Sequence, residues 1–314
     1  MTESRCLVCC EDSQGLPYHP RCSKELFGDR SPPQVDVLSR DIERLANELV
    51  NKHITIPGVQ RKISLGLDSS HSEQRRLTFV GVLGGTHILK PASPEYPELP
   101  GIEHITMRLS AIAGIKTAAN GLVALRDGSL SYLVRRFDRW GAGRKLAVED
   151  LCQLCELPSE AKYRFSCEGA GKTVRKFSHN PGDDALRFFE IVFFSFLVGN
   201  SDMHLKNYSL IESKGGVIGL SPAYDLLASQ LLIDDPEESA LTINGKRTKL
   251  KRADFLALGR SLRIPEKVVE SSMKKQLEKL DAWCSMIKKS FLSPTTQVQL
   301  ESLIRERCAR IDAL

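Results

Sequence analysis

Asp202 and Asn207 stand five residues apart in the segment Gly199-Asn200-Ser201-Asp202-Met203-His204-Leu205-Lys206-Asn207. The spacing D-x-x-x-x-N lets one short loop serve two needs of phosphoryl transfer. A carboxylate orients a hydroxyl and takes its proton, and an amide oxygen binds Mg²⁺. The His-Arg pair that precedes this Asp in ordinary protein kinases is absent, and Asn200-Ser201 stand in its place. Asp225, in Leu220-Ser221-Pro222-Ala223-Tyr224-Asp225-Leu226-Leu227, offers a second hard oxygen of the kind that Mg²⁺ prefers. A hairpin between Asn207 and Asp225 would return the chain to its start and set the two side by side. Singly, Asp202 and Asn207 also read as turn caps after a helix, and Asp225 as a helix N-cap.

Three earlier segments fit the same chemistry. Lys90 ends the apolar run Thr86-His87-Ile88-Leu89-Lys90. A lysine there can reach α/β-phosphates and pair with a glutamate on the following helix, for which Glu103 is the candidate. A solvated lysine at a strand end is the plainer reading. The turn Pro57-Gly58-Val59-Gln60-Arg61-Lys62 offers backbone amides and a cation to phosphates, but with a single glycine it also reads as a simple hairpin turn. The strand that runs through Leu133 and Val134 into Arg135-Arg136-Phe137-Asp138-Arg139 is where an adenine would bond to backbone, or is a strand end and no more.

A separate constellation opens the chain. Cys6-x-x-Cys9 and His19-x-x-Cys22 have zinc-ligand spacing, with Cys10 leaving the register open. Without metal the same side chains would pack against Tyr18, Leu26 and Phe27. Zinc would support a competing class, a ribbon-like binding module without catalysis, although that class leaves Asp202, Asn207 and Asp225 unexplained.

The elements that must position these residues are legible in outline. The chain has 314 residues, 41% hydrophobic and 26% charged, which suits one two-lobed domain or two modest ones and excludes wholesale disorder. The +5 net charge is spread along the sequence, so it is weak evidence for a nucleic-acid surface. No apolar run is long enough to span a bilayer, no signal peptide is evident, and nine cysteines is an odd number. A cytoplasmic protein with reduced thiols is expected. Val35, Leu38, Ile42, Leu45 and Leu49 recur at helical spacing. Alternation predicts strands on either side of Pro57-Gly58, through Leu77–Leu83 and through His87–Leu89. A helix should follow through Glu103, Met107 and Leu109, then a hairpin around Asp127-Gly128. After about residue 145 the pattern turns helical: Leu151–Leu154, Leu186 to Val198 ended by Gly199, a short hairpin around Gly215-Gly216, and helices over 264–289 and 297–313. The fold class expected is α+β, two-lobed and protein-kinase-like, divided into a Cys-rich segment 1–34, a β-rich N-lobe 35–140 and a helical C-lobe 141–314.

Taken together, Leu89-Lys90-Pro91, Arg136-Phe137-Asp138-Arg139, Glu149-Asp150-Leu151-Cys152-Gln153, Gly199 to Asn207 and Ser221-Pro222-Ala223-Tyr224-Asp225 resemble the HipA family of serine/threonine kinase toxins. In its short length the chain is most similar to the HipT members of three-component HipB–HipS–HipT systems. The resemblance implies ATP and Mg²⁺ as cofactors, Asp202 as catalytic base, and Asn207 and Asp225 as Mg²⁺ ligands. It implies an ATP site of Pro57 to Lys62, Lys90, Arg135, Arg136, Phe137, His204, Lys206, Asn207, Tyr224 and Asp225. It implies an aminoacyl-tRNA synthetase as the protein substrate and autophosphorylation just before the loop glycine, where Thr55 stands and where Pro57 replaces the second serine of some HipT-like members. It further implies a HipS-like antitoxin and a HipB-like DNA-binding partner, DNA being touched only through the latter. A small-molecule or lipid kinase of the same fold and an inactive kinase-like scaffold are the alternatives.

Overall fold

The computed structural model describes residues 5–35, 62–68, 75–79, 85–140, 144–234 and 236–312. The expected helix beyond Val35, the strand before Pro57, the turn Pro57 to Arg61 and Thr55 lie outside them. The chain divides into two compact units that do not follow chain order. One gathers residues from Met1–His104, Ala118–Lys145 and Lys289–Leu292; the other gathers Ile105–Thr117, Leu146–Lys288 and Ser293–Leu314.

The first unit contains α1 (Pro20–Phe27), β1 (Ile63–Asp68), β2 (Arg76–Phe79), β3 (His87–Lys90), the start of α2 (Leu99–Ile112), β4 (Asn120–Ala124), β5 (Leu130–Arg135) and a short ribbon of β6 (Arg139–Trp140) with β7 (Arg144–Lys145). Five of these strands form an antiparallel sheet in the order β2-β1-β3-β5-β4. Register is set where apolar residues meet: Ile63 faces Leu89, and Leu89 faces Leu133. The β4–β5 connection turns as expected at Asp127-Gly128, where Asp127 Oδ1 accepts from the Ser129 amide and hydroxyl. Alternation along β3 sends His87 and Leu89 to one face and Ile88 and Lys90 to the other. The Cys-rich start packs within this unit, its Leu7 backbone pairing with Leu122 of β4.

The second unit is mainly helical. It holds β8 (Val148–Asp150), α3 (Leu151–Leu154), α4 (Cys167–Phe177), α5 (Pro181–Leu197), β9 (Ser209–Glu212), β10 (Ile218–Leu220), α6 (Arg252–Ser261), α7 (Glu266–Leu277), α8 (Leu280–Lys288) and α9 (Pro294–Asp312). Strands β10, β9 and β8 form a small antiparallel sheet in that order. Helix α5 starts at Pro181 with Asp183 and Asp184 in its first turn, as the missing proline N–H and the helix dipole favour. Phe188, Phe189, Phe193, Phe194 and Phe196 are all at most 1% exposed, so α5 is the buried core helix of the unit. Each such ring stabilises by roughly 1.5–3 kcal/mol through burial. The single helix expected over 264–289 is two helices, α7 and α8. The chain breaks at Glu278-Lys279 so that fully buried Trp283 can donate its Nε1–H to the Leu109 carbonyl at 3.0 Å. Among the described residues no helix is long and apolar enough to cross a membrane, and none of the nine cysteines is in a disulfide.

Candidate active site

The site loop begins where α5 ends. Gly199 has φ +71, a left-handed conformation that glycine adopts without cost. There the Asn200 amide donates back to the Ser195 carbonyl at 2.8 Å. A Cβ on Gly199 would also meet the terminal Leu303 Cδ2 at 2.5 Å, a contact that side chain could relieve by moving, so it is the backbone conformation that favours glycine here. The loop then holds itself. The Asp202 amide donates to Asn200 Oδ1 at 3.2 Å, the His204 amide to the Asp202 carbonyl at 2.8 Å, and the Asn207 amide to the His204 carbonyl at 2.9 Å. The Ser201 amide donates to Ser229 Oγ at 2.9 Å, which anchors the loop to the turn at Ser229–Leu231.

This scaffold exposes the carboxylate of Asp202 and fixes the amide of Asn207. Asn207 Nδ2 donates to the Asp202 carbonyl at 3.0 Å, which commits the nitrogen side and turns Oδ1 away as an acceptor. His204 is 7% exposed, its Nδ1 has no hydrogen-bond partner, and its ring meets Tyr163 edge-on with centroids 5.0 Å apart. Burial holds the His204 imidazole below its ordinary pKa, against the opposing pull of the Asp202 charge. Lys206 does not stand free: its Nζ lies 2.8 Å from Asp150 Oδ2, and Asp150 is also the N-cap of α3.

Asp225 is brought to this loop by the hairpin. The β9–β10 pairing continues past its ends, with the Ser221 amide donating to the Ser209 carbonyl at 2.9 Å. Tyr224 then donates its hydroxyl to the Lys206 carbonyl at 3.0 Å, and its oxygen lies 2.6 Å from Ser209 Oγ. The neighbours of Asn207 and Asp225 are therefore bonded to each other, and the two residues sit at one end of one hairpin. Asp225 itself has φ +53, a strained value for a residue with a side chain. The far strand is pinned by Asp184, 2% exposed, whose carboxylate accepts from the Leu220 amide at 2.9 Å, from Ser178 Oγ at 2.6 Å and from Arg187 at 2.7 Å. Asn207 Oδ1 and the Asp225 carboxylate are hard donors, so the residues present fit a Mg²⁺ ion carried with a nucleotide.

In the first unit, Lys90 and Glu103 are paired at 2.5 Å with side chains 3% and 2% exposed, so the solvated reading of Lys90 does not hold. Arg136 makes a two-pronged contact to Asp138, at 3.0 and 2.9 Å, and Arg139 also reaches that carboxylate. Burial opposes the Asp138 charge, but these guanidinium bonds prevail and hold its carboxyl below the usual range. Arg135 is exposed and donates to the Glu25 carbonyl at 3.1 Å, while Phe137 and Lys62 are half-buried. Cys6, Cys9, His19 and Cys22 converge, with ligand atoms within 4.8 Å of one another.

Tyr163 is a residue the sequence did not announce. Its hydroxyl donates to Asp202 Oδ1 at 2.6 Å. Asp150 is another: it stands in the segment Glu149 to Gln153, but nothing in that segment marks it as the partner of Lys206. Both are lone residues 39 and 56 positions from their partners, so no spacing rule could pair them.

The model of the HipA-like C-terminal domain family matches residues 54–284. A Sinorhizobium fredii protein carrying a provisional kinase name is 33% identical over 185 residues, 54% of this chain and 41% of that protein. The serine/threonine-protein kinase toxin HipA of Shewanella oneidensis is 30% identical over 215 residues, 61% of this chain and 47% of its own. The chain spans about half the length of the curated relatives it matches. Among solved structures, HipA of Shewanella oneidensis MR-1, in complex with HipB and operator DNA, superposes with a TM-score of 0.70 at 21% identity, covering 89% of this chain and 74% of that one. The Helicobacter pylori proinflammatory kinase CtkA gives 0.56 at 13% identity, over 79% and 93%. These neighbours establish the two-lobed α+β kinase-like fold.

Proposed function

This chain belongs to the HipA-like C-terminal domain family, and from that premise we propose that it is an ATP- and Mg²⁺-dependent serine/threonine protein kinase acting as the toxin of a toxin–antitoxin system. The observation that carries the reading is the Tyr224–Lys206 bond, which ties the chain neighbour of Asp225 to that of Asn207 and so supports the pairing of the two with Asp202 in one site. One loop and one hairpin thus offer a base for a hydroxyl and two oxygen ligands for a metal. Mg²⁺, when bound with ATP, neutralises charge that develops on the phosphates. Asp202 orients the acceptor hydroxyl and takes its proton; Asn207 and Asp225 hold the metal. Lys90, kept in place by Glu103, binds phosphate, with Pro57 to Lys62 as the phosphate loop. Backbone groups of Arg135 to Phe137 hold adenine, and His204, Lys206 and Tyr224 complete the nucleotide site.

The same reading includes an aminoacyl-tRNA synthetase as acceptor protein, a small HipS-like antitoxin and a HipB-like DNA-binding partner in the cytoplasm. The Shewanella oneidensis HipA that this chain resembles was solved with its own HipB and operator DNA. Autophosphorylation of Thr55 would add roughly −1.5 to −2 charge beside the nucleotide phosphates and repel ATP, which gives the kinase an off-switch.

The test is induction of the wild-type chain and of Asp202→Asn, with ATP turnover, growth and the cellular phosphoproteome as readouts. The wild type should arrest growth and phosphorylate a serine or threonine, and the variant should do neither. Growth arrest that survives Asp202→Asn overturns catalysis as its source.

A further inference from the structure

Four ligand-type side chains outside the phosphoryl-transfer residues meet at the start of the chain. We propose that Cys6, Cys9, His19 and Cys22 form a structural Cys3His zinc site, which fastens the N-terminal turn and α1 onto the sheet of the first unit and onto the helix that carries Glu103.

The geometry is that of a tetrahedral shell. The ligand atoms lie within 4.8 Å of one another, and His19 Nδ1 is 3.2 Å from Cys9 Sγ and 4.0 Å from Cys22 Sγ. Zinc bonds of about 2.3 Å to sulfur and about 2.0–2.1 Å to nitrogen put neighbouring ligands about 3.5–3.8 Å apart, so the ion fits with little movement. The imidazole is set for it. His19 Nε2 lies 2.8 Å from the Asp12 carbonyl, which can only accept, so the proton sits on Nε2 and Nδ1 turns a lone pair to the sulfurs. The His19 amide donates to Cys6 Sγ at 3.4 Å, a bond suited to a thiolate. Thiols packing as plain apolar groups would call for neither arrangement.

Local backbone places each ligand. The turn over Cys6-Leu7-Val8-Cys9 closes with the Cys10 amide donating to the Cys6 carbonyl at 2.9 Å, and Cys10 takes the left-handed φ of +63. Cys10 is outside the converging set, which resolves the register that the sequence left open. His19 is the N-cap of α1 and Cys22 lies in its first turn, so both come from one helix end. Cys6, Cys9 and Cys22 are 0%, 7% and 4% exposed.

The cluster lies at the root of the N-terminal packing. Leu7 accepts from the Leu122 amide at 2.7 Å, Tyr18 donates to the Leu122 carbonyl at 2.9 Å, and the Leu26 carbonyl accepts from His87 at 2.8 Å. The Val8 carbonyl, between Cys6 and Cys9, accepts from His104 Nε2 at 2.9 Å. His104 directly follows Glu103, the partner of Lys90. A segment this short lacks a core of its own, and a metal supplies the missing constraint.

The test uses the full chain purified without chelator. Elemental analysis should find about one zinc per chain, and cobalt substitution should give the visible absorption of tetrahedral thiolate coordination. Cys9→Ser and Cys22→Ser should lose the metal, while Cys10→Ser keeps it. Should the first two fail to fold, the wild type decides alone: a strong chelator should lower its Tm and added zinc should restore it. A wild-type chain with far less than one zinc, and a Tm that neither zinc nor chelator moves, overturns the site. So does loss of metal from Cys10→Ser with retention in Cys9→Ser. These readouts do not involve ATP, so they stand or fall apart from the kinase reading.

Discussion

Tyr163 donates its phenolic hydrogen to Asp202 Oδ1 at 2.6 Å, so the carboxylate assigned as base already holds a donor. Burial, then the bond to Asp202, raises the Tyr163 pKa, so the phenol remains a donor through the neutral range. Under the kinase reading a substrate hydroxyl must take its place. A hydrogen bond to a charged group contributes about 1.5–3 kcal/mol, less where water competes as it does at this exposed pair. Tyr163→Phe should therefore raise kcat/KM for the acceptor by up to about tenfold. Its unfolding free energy should stay within about 0.5 kcal/mol of wild type. Steady-state kinetics with a denaturant titration checks both. A loss of kcat in a stably folded variant would make Tyr163 an orienting partner of Asp202 and sink the competition.

The left-handed backbone of Asp225 separates its chemistry from its stability. Asn tolerates that conformation about as well as Asp and lacks the charge. Asp225→Asn should fold as the wild type does, with Tm unchanged or slightly higher, and lose about 10²-fold or more in turnover if the carboxylate holds the metal. Asp225→Ala should lose the same activity and stability as well, because Ala tolerates positive φ poorly. Full activity in a folded Asp225→Asn would remove Asp225 from the metal site.

The loop from Gly199 to Asn207 and its link to Asp225 were legible because they are local: one spacing and one hairpin signal carry both. Strands β3, β4, β5, β9 and β10 were legible by alternation and turn residues. Helices α4 and α6 were not. Within α4, Gly169 and Gly171 depress helix propensity, yet a Cβ on Gly171 would meet Leu262 Cδ2 at 2.3 Å. The glycine serves a close approach between elements, which a window of sequence cannot register. The break between α7 and α8 has no Gly or Pro either, and answers to Trp283 reaching Leu109 across 174 residues. Tyr163, Asp150 and the exclusion of Cys10 from the cysteine cluster likewise depend on tertiary placement.

Lys90 and Glu103 form a pair almost without solvent. Removing one partner leaves a buried charge, whereas removing both leaves a cavity that apolar side chains can fill. Glu103→Ala should destabilise the fold by about 3–5 kcal/mol, and the double variant Lys90→Met with Glu103→Leu should recover much of that loss. Both should abolish phosphate binding under the kinase reading. Urea unfolding of the three proteins checks the ordering. A double variant less stable than Glu103→Ala would show that the pair contributes more than it costs to bury.

His87 gives the first unit a pH dependence of definite sign. It is 1% exposed, donates from Nε2 to the Leu26 carbonyl at 2.8 Å, and lies 2.9 Å from Thr86 Oγ1 through Nδ1. The neutral ring satisfies both contacts. Burial, with the nearby Arg135 charge, lowers its pKa from 6.5 to about 4, against the pull of the Leu26 carbonyl. The unfolded chain takes up this proton below pH 6.5, and the folded chain resists it until about pH 4. Stability is therefore full above 6.5, falls between those values, and levels off below the lower one, the total change being about 3 kcal/mol at most. His87→Gln keeps a donor for Leu26 and has no proton to gain. Its Tm should fall less steeply than that of wild type between pH 6.5 and 4, and the difference between the two curves isolates His87 from every other acid-sensitive group, the cysteine cluster included. Parallel curves would mean that the folded chain protonates His87 as readily as the unfolded one, and that the contact between β3 and α1 does not depend on its neutral form.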